Sequence, residues 1–171
     1  MSSESIARQI RRILLGLSLA VGVAGCQVRP LHDGVPGRAE NLGSIAYSQA
    51  DSRVGQEVRN QLIFLTGGGA GEPAAPQYTV DMKVESRTMG VLLEQSSDVP
   101  KAGRVIVSAD YTLTRTSDGT VLRAGRRQIV APVDYPEQEF AKLRAIRDAE
   151  DRGAHQLAEL IRADIATIIG R

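Results

Sequence analysis

Arg104-Val105-Ile106-Val107-Ser108-Ala109-Asp110-Tyr111-Thr112-Leu113-Thr114, followed by Asp118-Gly119 and a second extended run to Val133, is the clearest structural signal in the chain. Val105, Val107, Ala109, Tyr111 and Leu113 alternate with Ile106, Ser108, Asp110, Thr112 and Thr114. That period of two places one set on each face of a strand. Asp118-Gly119 suits a tight type I′ turn, because both residue types reach positive φ at low cost. Residues 104–133 therefore read as a long antiparallel hairpin. In the return strand Gly125 interrupts the alternation between Leu122, Ala124 and the later set Ile129, Ala131 and Val133. A β-bulge there would re-phase the faces.

The flanking segments supply the rest of a domain. Tyr78, Val80, Met82 and Val84 alternate with Thr79, Asp81, Lys83 and Glu85, the pattern of a strand with one wet face. Between this strand and the hairpin, residues 89–103 read as a loop with an apolar tip of Val91, Leu92 and Leu93. Further upstream, Val54, Val58, Leu62 and Leu65 recur at helical spacing behind a cap at Asp51 or Ser52, and glycines 67–69 end the helix. A short strand is expected at 42–47. Downstream, Asp134 is the expected cap of a long helix with Pro136 in its first turn and Glu137 and Glu139 at its positive end. Phe140, Leu143, Ile146, Ala149 or Ala154, Leu157, Ile161, Ile165 and Ile168 form its apolar stripe, which Gly153 would kink or split. The mixed charges Arg144, Arg147, Asp148, Glu150, Asp151 and Arg152 form its solvated face. The result is an α+β fold, two helices packed on one face of a four-stranded mixed sheet in the order β-α-β-β-β-α.

The N-terminal residues have a different character. Arg8, Arg11 and Arg12 precede about eleven largely apolar residues, 13–23, the length of a signal-peptide h-region and short of the ~20 needed to span a bilayer. Val23-Ala24-Gly25-Cys26 follows, ending on the only cysteine of the chain, and it resembles a bacterial lipobox. In that reading the Cys26 thiol receives a diacylglyceryl group, cleavage makes it the mature N-terminus, and further acylation completes the anchor. More than one chain is needed for stable attachment. The competing account is a buried free thiol at the end of an uncleaved helix. Gln27 replaces the aspartate associated with inner-membrane retention, so the outer membrane is the expected destination, with the domain on its periplasmic side. Residues 26–41, punctuated by Pro30, Gly34, Pro36 and Gly37, read as a linker between the anchor and a single domain at 42–171.

Removal of residues 1–25 leaves 146 residues with 18 basic and 19 acidic side chains. A near-zero net charge gives no case for bulk binding to nucleic acid. With Cys26 acylated no thiol remains for a disulfide, and the absence of tryptophan leaves an aliphatic core.

Catalytic constellations are not indicated. His32 and His155 are the only histidines, so neither a histidine-based triad nor a histidine-rich metal site is expected. Gly67-Gly68-Gly69-Ala70-Gly71 lacks the Lys-Ser/Thr of a P-loop and follows a helix. Arg123, Arg126 and Arg127 cluster on the return strand, with Arg115 across the hairpin and Lys101 and Arg104 near its base. Brought together at one end of the sheet they would suit phosphate, which arginine pairs bidentately. The plainer account is that they are solvent-face residues of an exposed strand.

The lipobox cysteine, the linker Cys26-Gln27-Val28-Arg29-Pro30-Leu31, the strand and short helix carrying Arg53 to Leu65, the β segments with Tyr111 and Leu113, and the terminal stretch from Asp134-Tyr135-Pro136 through Ala154-His155-Gln156-Leu157-Ala158-Glu159-Leu160-Ile161 together resemble the LPS-assembly lipoprotein LptE family in its alphaproteobacterial form. The resemblance spans the mature chain and rests on element order plus the lipobox. It implies a non-enzymatic protein that plugs and helps assemble the LptD β-barrel as a heterodimer and assists insertion of lipopolysaccharide into the outer leaflet, with no cofactor beyond the lipid on Cys26. An accessory lipoprotein of another outer-membrane transport complex fits the same features. A lipid-anchored hydrolase would need a nucleophile and base that the sequence does not display.

Overall fold

The computed structural model describes residues 41–93 and 100–169, so Cys26, the signal and all of the expected linker except Asn41 lie outside the described residues. Three long strands and two helices form the expected α+β arrangement: β1 (Ile45–Tyr47), α1 (Arg53–Gly67), β2 (Tyr78–Leu93), β3 (Pro100–Arg115), β4 (Val121–Asp134) and α2 (Glu139–Ile169). The sheet order is β1-β2-β3-β4, with β1 parallel to β2 and the remaining pairs antiparallel. Parallel pairing of β1 and β2 requires a crossover, and α1 supplies it.

One sheet face carries Ile45, Tyr47, Val80, Val105, Val107, Ala109, Tyr111, Leu113, Ala131 and Val133, all buried. Both helices pack on that face, contributing Val54, Val58 and Leu62 from α1 and Leu157, Ile161 and Ile165 from α2. The core is aliphatic apart from two tyrosines. Burial pushes the Tyr47 phenol up to about 12, and its hydroxyl pairs with Thr66.

Ser52 caps α1, accepting from Gly55 N at 3.1 Å, and Gly68 at φ 59 closes its other end. Such an N-cap contributes about 1 kcal/mol. Arg53 reaches Glu150 and Asp151, and Glu57 meets His155 at 2.9 Å. Contacts that advance together along both chains mean that α1 runs parallel to α2 and flanks its second half.

Several local expectations change. Asn41 and Leu42 are helical, and extended structure begins at Ile45. The loop foreseen at 89–103 is largely strand, since β2 continues to Leu93 and β3 starts at Pro100; cross-strand backbone pairing outweighs the local signal of Gly90 and Gly103. Residues 94–99 lie outside the described residues. The β3–β4 connection is the five residues 116–120, closed by Arg115 N donating to Thr120 O and Gly119 N to Arg115 O, with Gly119 at φ 70. The register shift falls at Leu122, not at Gly125, because Leu113 faces Arg123 while Thr114 faces Val121. Gly125 instead lies opposite Tyr111, where a Cβ would come within 3.0 Å of the phenol oxygen.

Asp134 ends β4 and does not cap a helix, and α2 starts at Glu139, beyond Pro136. Tyr135 turns back over Gly103, where its ring occupies the space a side chain would need. Gly153 does not split α2, which runs unbroken from Glu139 to Ile169. Gly153 is buried, and a Cβ there would stand 2.8 Å from Val107 Cγ2, so glycine is what lets the helix press onto β3. The expected apolar stripe holds from Ile146 and Ala149 onward and fails at the start of α2, where Phe140 is 75% and Leu143 52% exposed.

Candidate functional site

The strand register assigns each sequence-predicted arginine a face. Arg123 and Arg127 pair with Leu113 and Ala109, so they share the helix-bearing face of β4 and flank Gly125. Arg126 pairs with Asp110 and points to the other face. Arg115 sits at the end of β3, whereas Arg104 lies opposite Pro132 near the far end. Eleven residues of strand separate Arg104 from Arg115, about 36 Å at 3.3 Å per residue. The four-arginine patch with Lys101 and Arg104 converging at one end is therefore not formed.

Most of these arginines already hold a carboxylate. Arg126 approaches Asp110 at 3.5 Å and Arg115 approaches Asp118 at 3.1 Å, both on the surface. Exposed pairs of this kind contribute about 0–1 kcal/mol. Arg127 is held more firmly: Nε lies 2.7 Å from Asp164 Oδ2 and Nη2 donates to Oδ1 at 2.9 Å. Tyr111 donates its hydroxyl to Asp164 Oδ2 at 2.7 Å, crossing the gap that Gly125 leaves. Partial burial pushes the Asp164 carboxyl up, but the hydrogen bonds from Arg127 and Tyr111, with the charges of Arg127 and Arg123, outweigh it and hold the group below its ordinary range. Burial, followed by the bond to Asp164, raises the Tyr111 phenol. This cluster ties the end of α2 to the sheet. Its sequence signal was a glycine directly across the hairpin from a tyrosine, which is visible only once the register is known.

The second candidate surface is the sheet face that carries no helix among the described residues. Arg104, Asp110, Arg126, Gln128 and Val130 are exposed there, and Ile106 and Thr112 are partly so. Ser48, Gln49, Asp81, Lys83, Asp110 and Ala124 help line a shallow depression on it. Strands of 16, 16 and 14 residues make this face about 50 Å long. Among the described residues no group of three or more His, Cys, Asp or Glu side chains is placed to hold a metal ion, and no helix is long and apolar enough to cross a membrane.

No family model matches the chain, and no curated protein is significantly similar to it in sequence. Solved structures do match. A candidate lipoprotein of Caulobacter crescentus CB15 superposes with a TM-score of 0.64 at 26% identity, covering 77% of this chain and 93% of that one. Rare lipoprotein B of Shewanella oneidensis (TM-score 0.51, 15% identity, 72% and 92% coverage) and a minor lipoprotein of Acinetobacter baumannii (0.53, 12%, 74% and 94%) share the architecture. The chain thus has an α+β fold found among bacterial lipoproteins. At 15% and 12% identity the last two likenesses concern the fold alone.

Proposed function

We propose that this chain is an outer-membrane lipoprotein of the LptE kind, anchored through lipid on Cys26, which occupies and helps assemble an LptD-type β-barrel and assists lipopolysaccharide insertion, without enzymatic activity. The observation that carries the reading is the one-sided sheet: among the described residues, helices cover one face of three long strands and nothing covers the other. A long uncovered sheet calls for a cover, and the interior of a large barrel provides one. The lipobox and the lipoprotein neighbours support the anchored part of the reading. The arginines of β3 and β4 are a weaker support for lipopolysaccharide contact, because Arg115, Arg126 and Arg127 are engaged by acids of the same chain.

The test is a mild-detergent affinity purification of the tagged, lipidated protein from its native membranes, followed by mass spectrometry. A large outer-membrane β-barrel is expected at stoichiometric level. Recovery of the protein alone, or with an unrelated transporter, would overturn the barrel-plug reading and leave the accessory-lipoprotein alternative.

A further inference from the structure

Among the described residues, no helix lies beside the first three turns of α2. The start of α1 is level with Glu150 and Asp151, through Arg53, so residues 139–149 run past it for about 16 Å at 1.5 Å per residue. Where α1 flanks α2, the stripe Ala154, Ala158, Ile161 and Ile165 is buried. Seven-residue steps back along that stripe lead to Arg147 and Phe140, with Leu143 and Arg144 beside them. All four are exposed.

The charges around this overhang are unevenly satisfied. Glu139 is paired with Lys142, Asp148 with Arg152, and Glu150 and Asp151 with Arg53. Among the described residues Arg144 and Arg147 find no ion-pair or hydrogen-bond partner, and together with Ala145, Asp148 and Asp151 they line a shallow depression. Glu137 lies ahead of the helix. Two large apolar side chains and two unpaired guanidinium forks on one helical face make the combination by which a helix engages an amphiphile with acyl chains and phosphate. An exposed apolar pair alone would not specify a partner; the arginines add the requirement for an anionic, multiply accepting head.

We propose that Phe140, Leu143, Arg144 and Arg147 form a contact for the acyl-and-phosphate region of a phosphorylated glycolipid, with acyl chain over Phe140 and Leu143 and phosphate oxygens on the two arginines. The proposal rests on the lipopolysaccharide reading above and moves the contact away from the strand arginines.

A photo-crosslinking amino acid placed at 140 or at 143 of the full-length lipidated protein, irradiated in its native cells, tests this directly. Lipopolysaccharide adducts are expected at both positions and not at exposed Gln156 in the flanked half of α2. Combining Arg144→Glu and Arg147→Glu with the probe at 140 should lower adduct yield at least tenfold, with the unfolding midpoint unchanged. Adducts only to phospholipid, to a barrel wall or to a second copy would overturn the proposal, as would a yield indifferent to the arginines. The same samples report barrel co-purification: barrel without glycolipid adduct removes this contact alone, whereas absence of both removes the LptE-like reading with it.

Discussion

In the second half of α2, Gly153, Ala154, Leu157, Ala158, Ile161 and Ile165 are buried; in the first, Phe140 and Leu143 follow the same spacing and stand open. Both halves are regular helix, so the periodicity is obeyed equally. What differs is the neighbour. Small residues at 153, 154 and 158 let β3 and α1 approach the second half, and α1, at 15 residues to the 31 of α2, is too short to reach the first. Apolar periodicity thus marks a face able to be covered, and burial energy arises only where another element arrives.

The largest expected effect separates the two halves. Leu157→Ala should cost about 2–5 kcal/mol by leaving a cavity in a fully buried site, while Leu143→Ala should remain within about 0.5 kcal/mol. Denaturant unfolding measures both, and equal losses would mean that the first half is packed after all. Next is Gly153→Ala, whose new methyl meets Val107 Cγ2. Overpacking of about 1–3 kcal/mol set against a helix-propensity gain of about 1 leaves a net loss of about 0–2 kcal/mol. A stabilised variant would show that α2 stands farther from β3 than the geometry requires.

Asp164→Asn should cost about 1 kcal/mol at neutral pH, since a charge-assisted pair is replaced at a partly exposed site. The folded Asp164 carboxyl titrates below its ordinary range, so its contribution is present above the unfolded pKa of about 3.9 and is lost as pH falls through the depressed value. Wild-type and variant stabilities should therefore converge in acid. A gap that persists below that range would assign the loss to packing instead of charge.

Element order, the hairpin and the buried alternation from Val105 to Leu113 were legible in the sequence because a strand's period is local. The continuation of β2 and β3 was not, because pairing across the hairpin holds Gly90 and Gly103 extended against their local tendency. The arginine cluster misled for a related reason. Arg126 and Arg127 are adjacent in sequence and therefore point to opposite faces, and the register that assigns Arg127 to Asp164 depends on a one-residue shift at Leu122. Asp164 itself carries no mark in the sequence, since its role comes from Tyr111 leaning across Gly125.

The smallest expected effect belongs to the overhang. Arg144→Ala with Arg147→Ala removes two side chains that, among the described residues, have no ion-pair or hydrogen-bond partner, so the unfolding free energy should shift by less than about 0.5 kcal/mol. Arg53 offers the contrast within the same helix pair, because its guanidinium joins α1 to Glu150 and Asp151 where the flanked half of α2 begins. If the double variant lost more than about 1 kcal/mol, these arginines would be holding the domain together, and their exposure would no longer distinguish the two halves. If stability is unchanged while glycolipid crosslinking at 140 falls, the exposed stripe of Phe140, Leu143, Arg144 and Arg147 is free to serve a partner because the fold does not depend on it.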